Sequence, residues 1–147
     1  MPTQNLLVNI VTNQSNTYDT AVQQIIDQNV NAPCFVILAN GGQAGNFGLG
    51  INLVKSRNST DIQGILFPGA TFESPKWYLA QTNLDVWRPD VKDPRFDKVI
   101  QQLEATKSID PSVLVENVLN YPGVQTNLTI FAASMLPQSN EVKVYKT

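Results

Sequence analysis

The chain has 147 residues, 42% of them apolar, which suits one domain with an ordinary core; only 15% are charged, the formal net charge is −2, and there is no histidine. Without imidazole there is no histidine general base, no Ser-His or Cys-His pair and no His-ligated metal site. Lys55 is the first basic side chain, so the first third offers nothing to hold a phosphate backbone, and nucleic acid is not expected as a partner. The polar surface falls instead to amides and hydroxyls, with 15 Asn, 12 Gln and 19 Ser and Thr. Cys34 stands alone, which rules out a disulfide within the chain and a Cys-rich zinc site. No metal and no cofactor are expected. The N-terminus has no basic region followed by an apolar core, so neither signal-peptide secretion nor a membrane span is expected, and the expected location is cytoplasm or virion. The sequons at Asn13, Asn58 and Asn127 are accordingly read as unused.

In chain order, Asn5 to Thr12 is rich in β-branched residues and predicts a first strand. Asn16 is the candidate N-cap of an amphipathic helix over about 17–29, with Tyr18, Ala21, Val22, Ile25 and Ile26 at helical spacing. Pro33 closes it. Cys34 to Ala39 is apolar throughout, as in a strand covered on both faces, and predicts the central strand. Cys34 reads as a small buried hydrophobe, since no cation or His lies near it in sequence.

The loop from Asn40 to Gly48 is glycine-rich. Its spacing matches neither G-x-G-x-x-G nor a P-loop, and the alternation of Leu49, Ile51 and Leu53 after it predicts a strand rather than the helix a phosphate site needs. A long hairpin loop is expected, with a partner-contacting tip at Phe47 as the sharper reading. A third strand spans Ile62 to Phe67. Residues 70–93 carry both tryptophans, Trp77 and Trp87, among prolines, with one or two short strands. Either the rings close the sheet edge, or Trp77, Tyr78, Trp87 and Arg88 form a protein-contact surface. Asp93-Pro94 and Asp110-Pro111 start two helices, to about Lys107 and Asn120. Asn127 to Ser134 predicts another apolar strand. Glu141 to Lys146 alternates, with Val142 and Val144 expected inward and Glu141, Lys143 and Tyr145 outward, as in an edge strand.

Together these predict one α+β domain over 1–147: a single mixed or antiparallel sheet of five to seven strands with one N-terminal helix and a two-helix hairpin packed on it. The carboxylates, densest at Asp85, Asp90, Asp93 and Asp97, form no recognisable catalytic pair, so no catalytic residue is assigned. The expected role is a non-catalytic assembly subunit that contacts other protein subunits, in a homo-oligomer or a larger assembly. The order of elements resembles that of small phage tail-terminator proteins, and the composition that of phage head, neck and tail proteins, which implies a virion component. The alternative is a small-ligand-binding or enzymatic domain in which Asn40, Gly41, Gly42, Gln43, Gly45 and Asn46 hold a polar, uncharged ligand.

Overall fold

A computed structural model describes residues 2–41, 48–84 and 92–146, in two compact units, Met1–Leu79 and Ala80–Thr147. In the first unit the order is helix α1 (Thr3–Thr12), helix α2 (Tyr18–Asp27) and strands β1 (Cys34–Asn40), β2 (Leu49–Lys55) and β3 (Thr60–Leu66). The expected strand at Asn5–Thr12 is therefore a helix. Burial shows why. Leu6 and Ile10, four apart, are buried, whereas Val8 between them is 55% exposed. In a strand all three would share a face; on a helix only the first and third do. The Pro2 carbonyl accepts the Asn5 and Leu6 amides and starts the turn.

α2 begins one residue later than expected, because Thr17 rather than Asn16 is its cap. Thr17 accepts from the Thr20 amide, and the Thr20 hydroxyl accepts from the Thr17 amide, a reciprocal capping box. Asn16 instead ties the helices together, donating to the Ile10 carbonyl at 2.8 Å and accepting from Gln24 at 2.9 Å.

β1, β2 and β3 form an antiparallel sheet in that order, with Val36 opposite Leu53 and Leu53 opposite Ile62. The central strand is thus β2, not β1. Gly50 to Lys55 are all buried, while β1 is an edge strand whose Ile37 is 48% exposed. Ile51 and Leu53 join Leu6, Ile10, Ala21, Ile25 and Val30 in the core, with Val36 and Leu38 packed against it. Each large member contributes about 1.5–3 kcal/mol of apolar burial. On the other sheet face, Gly50 and Gly64 leave room for Leu79. A Cβ on either would lie 3.3 or 3.0 Å from a Leu79 methyl.

Lys55 ends β2 inside this core at 1% exposure. Its ammonium donates to the Ile26 carbonyl at 2.9 Å and to the Thr60 hydroxyl at 2.7 Å. Ile26 lies in the last turn of α2, where carbonyls lack intrahelical partners and the helix end is partly negative.

The second unit holds α3 (Pro94–Thr106), α4 (Pro111–Leu114), and the antiparallel hairpin β4 (Phe131–Leu136) and β5 (Glu141–Lys146). Asp93 and Asp110 cap the two helices as the Asp-Pro pairs predict. α4 widens into a π turn over Val115–Leu119, closed by the Asn120 amide on the Val115 carbonyl. Val115, Val118 and Val124 are buried.

The single sheet of five to seven strands is not found. Among the described residues there are two small sheets, of three and two strands, with four helices. Each strand pairs with its sequence neighbour through a hairpin. No strand lies in the described part of 70–93, and the expected strand at Asn127–Ser134 forms only from Phe131, with Leu128 and Ile130 exposed. In β5 Glu141 and Lys143 are exposed as expected, but the two valines and the tyrosine are not placed as expected. Val142 and Val144 face outward at 64% and 61% exposure, and Tyr145 reaches back to Ser134 on β4.

Replacing Lys55 by Met keeps most of its volume and deletes the ammonium with both of its hydrogen bonds. The Ile26 carbonyl then keeps only the longer bond from the Thr60 hydroxyl, at 3.4 Å, and the loss of the ammonium costs about 1–3 kcal/mol. Lys55→Met is expected to lower the urea midpoint accordingly, and Lys55→Ala, which adds a cavity, to lower it further. An unchanged midpoint in Lys55→Met would show that the link is dispensable.

Candidate functional site

The first unit carries an open groove of about 420 Å³. α2 supplies one wall through Tyr18, Asp19, Val22 and Gln23. Leu49, Gly50 and Ile51 of β2 form the floor, and Ile65, Leu66, Phe67 and Pro68, at the end of β3 and just past it, form the other wall. The helical period brings 18, 19, 22 and 23 to one side, and the antiparallel register sets Ile51 opposite Ile65. The lining is mostly apolar. Phe67 and Ile65 are exposed at 69% and 42%, large apolar groups open to solvent. The polar groups sit on the helix wall. Gln23 is occupied with Asp27, donating at 2.7 Å, while Asp19 is exposed in the first turn of α2. Burial and the neighbouring Asp19 carboxylate push the Tyr18 hydroxyl above its ordinary pKa, so it is a neutral hydrogen-bonding group near neutrality.

The glycine-rich loop adjoins this groove in sequence. Asn40 ends β1 exposed, Gly41 is half-buried, and Leu49, one residue past Gly48, lines the groove floor. Gly42, Gln43, Gly45, Asn46 and Phe47 lie outside the described residues, as do Trp87 and Arg88. Trp77 is buried at 4% exposure, edge-on to both Phe72 and Tyr78 with ring centroids 4.9 Å apart. Tyr78 is half-buried. The groove itself was not legible in the sequence as a site. Its residues come from three elements, and each one taken alone reads as core or turn.

In the second unit the stretch Gln81–Leu84 is pinned. The Gln81 amide donates to the Thr82 and Leu84 carbonyls at 2.8 and 3.2 Å. The Thr82 hydroxyl donates to Asp93, whose other oxygen accepts the Arg95 amide at 3.0 Å. One carboxylate thus caps α3 and holds the stretch of chain before it, where Asn83 is exposed.

Cys34 is half-buried, and burial pushes its thiol upward, more than Thr3 and Lys55 bring it down. A raised pKa is the opposite of what activates a thiol. Among the described residues no group of three or more His, Cys, Asp or Glu is placed to hold a metal ion, and no helix is long and apolar enough to cross a membrane.

No family model matches the chain. Over 130 residues, 87% of its length, it is 31% identical to an N-acylethanolamine-hydrolyzing acid amidase of Caenorhabditis elegans. The chain spans about a third of that relative, 34% of its length. This similarity overturns the expected role as a non-catalytic phage assembly subunit and the expectation that the protein is not an enzyme. The absence of histidine misled, because it removes one catalytic toolkit and not catalysis. The ligand-binding or enzymatic alternative is the better supported.

The shift of Cys34 has a direct consequence. In the folded state the thiol holds its proton to higher pH than in the unfolded chain. Its stabilising contribution is therefore complete below the unfolded pKa and is lost as pH rises through the folded one. Iodoacetamide should alkylate Cys34 at pH 8 several-fold more slowly in the native protein than in urea, and the native rate should climb at higher pH than a free thiol does. Equal rates in both states would contradict the burial.

Proposed function

We propose that this chain is the acyl-binding part of an amide hydrolase, acting on N-acyl amides of the N-acylethanolamine class. The observation that supports it is the 31% identity running through 87% of the chain to an amidase of that substrate. An N-acylethanolamine joins an apolar acyl chain to a small, uncharged, hydrogen-bonding head. The groove between α2 and the β2–β3 pair has matching chemistry, with Val22, Ile51, Ile65 and Phe67 for the chain and Asp19 beside them for the hydroxyl or amide N–H. The substrate is neutral, so the low charge of this surface is no handicap.

Amide cleavage also needs a nucleophile and a proton acceptor. Cys34 is the only thiol, its pKa is raised by burial, and the chain has no histidine. We assign those groups to the portion of the enzyme that corresponds to the rest of the relative.

Acyl length is the test. Each buried CH₂ is worth about 0.8 kcal/mol, roughly fourfold in affinity. Binding of N-acylethanolamines to the chain should tighten steadily as the acyl group lengthens, until the groove is filled. Ile65→Asp, at an exposed position on the wall, should weaken long-chain binding at least tenfold and flatten the series. Affinity that ignores acyl length, or no binding at all, would end the proposal.

A further inference from the structure

The groove between α2 and the β2–β3 pair carries charge of one sign. Of its lining residues only Asp19 is charged, exposed in the first turn of α2. A second carboxylate, Asp27, stands one side chain away, accepting from Gln23 on the same wall at 2.7 Å. No basic side chain of the lining offsets them. The first unit has Lys55, Arg57 and Lys76, and none of these lines the groove. Lys55 pairs with Thr60 at the far end of β2 and β3, whereas Gly50 pairs with Leu66 at the groove. Five residues of strand separate those ends by about 16 Å, beyond the screening length of physiological salt. From Gln28 to Val54, through β1, the glycine-rich loop and the groove floor, the sequence has no Asp, Glu, Lys or Arg. The Asp19 field is felt inside the groove, since it helps burial to hold the Tyr18 proton to higher pH.

From this we infer that Asp19 is a specificity-determining residue, which admits a neutral acyl amide to the groove and disfavours the fatty-acid anion left by its hydrolysis. The inference rests on the amidase reading above. Hydrolysis adds water across the amide C–N bond, and near neutrality the acid's proton passes to the amine, so the products are a carboxylate and an ammonium. The acyl chain is unchanged, and the apolar walls hold substrate and product alike. The head group decides between them. An amide N–H or a hydroxyl can donate to the Asp19 carboxylate. A product carboxylate only accepts, and it brings a like charge to the same place. The positive end of α2 offers an anion little, because Asp19 already occupies that first turn and the Thr17 and Thr20 amides are taken by the capping box. Substrate is thereby held in preference to the product that would compete with it.

The test compares ligands of one chain length, N-lauroylethanolamine, laurate and dodecylammonium, by calorimetry at pH 8 and low salt, below their micellar concentrations. The wild-type chain should hold the amide about tenfold more tightly than laurate, the scale of one hydrogen bond to a charged group. Dodecylammonium should bind at least as tightly as the amide. Asp19→Asn, whose side chain can donate to a carboxylate, should bring amide and laurate within about twofold of each other. Asp61→Asn makes the same change of net charge at an exposed position opposite Val54, away from the groove, and should leave the preference intact. Molar salt should shrink the preference of the wild-type chain and leave Asp19→Asn unaffected. Circular dichroism of both variants checks that the fold is kept. Laurate bound as tightly as the amide, a preference that survives Asp19→Asn, or one that Asp61→Asn abolishes would each overturn the inference. The acyl-length series on the same preparations separates the two claims. Length dependence without a head-group preference sinks only this inference, whereas loss of length dependence sinks the amidase reading beneath it.

Discussion

The first unit turns on one buried ammonium. Lys55 sits at the end of the central strand, and its charge is taken up by a helix-end carbonyl and a hydroxyl. Burying a cation is costly unless donors and acceptors match. Here the cost fixes geometry, because the last turn of α2 must stop where the ammonium can reach Ile26, and Thr60 must start β3 within reach of both. Helix, central strand and third strand are therefore held in one register. The loop between β2 and β3 reinforces it, since the Arg57 carbonyl accepts the Val30 amide just past α2. With α2 fixed over β2 and β3, the wall of Tyr18, Asp19 and Val22 stands opposite Ile65 and Phe67, and a groove exists between them. The same α2, β2 and β3 that this link joins at one end carry the groove at the other.

The chemistry proposed for this chain follows from that groove. The groove of this chain has apolar walls, a neutral tyrosine and one exposed carboxylate, the features on which the proposed binding of a neutral acyl amide rests. The chain has no imidazole, and burial raises the pKa of its single thiol. The second unit adds a different kind of order, a pinned polar stretch at 81–84 in which the Asp93 carboxylate serves the Thr82 hydroxyl and the Arg95 amide together.

What could be read from the residues was whatever depended on local rules. Asp-Pro pairs marked both later helix starts, because cap chemistry acts within three residues. The antiparallel β1–β2 pair followed from two apolar runs around a glycine-rich stretch. Failures came where two periods fit one string. Leu6, Val8 and Ile10 satisfy a strand, and Leu6 and Ile10 satisfy a helix; only packing on Ile25 and Leu53 decides. The β5 alternation misplaced its two valines and Tyr145, since alternation tells which residues share a face and not which face meets α4. Lys55 was invisible as a core residue because a lysine is buried only where tertiary structure supplies its partners. The groove, assembled from α2, β2 and β3, has no contiguous sequence signal.

The central claim is that the α2–β2–β3 groove receives an acyl chain. Methyl-resolved NMR of the chain during titration with a long-chain N-acylethanolamine tests it most directly. Saturable shifts of the Val22, Ile51 and Ile65 methyls, with Val113 and Val118 unmoved, are the predicted result. Groove methyls that stay still while the ligand binds elsewhere would contradict the account.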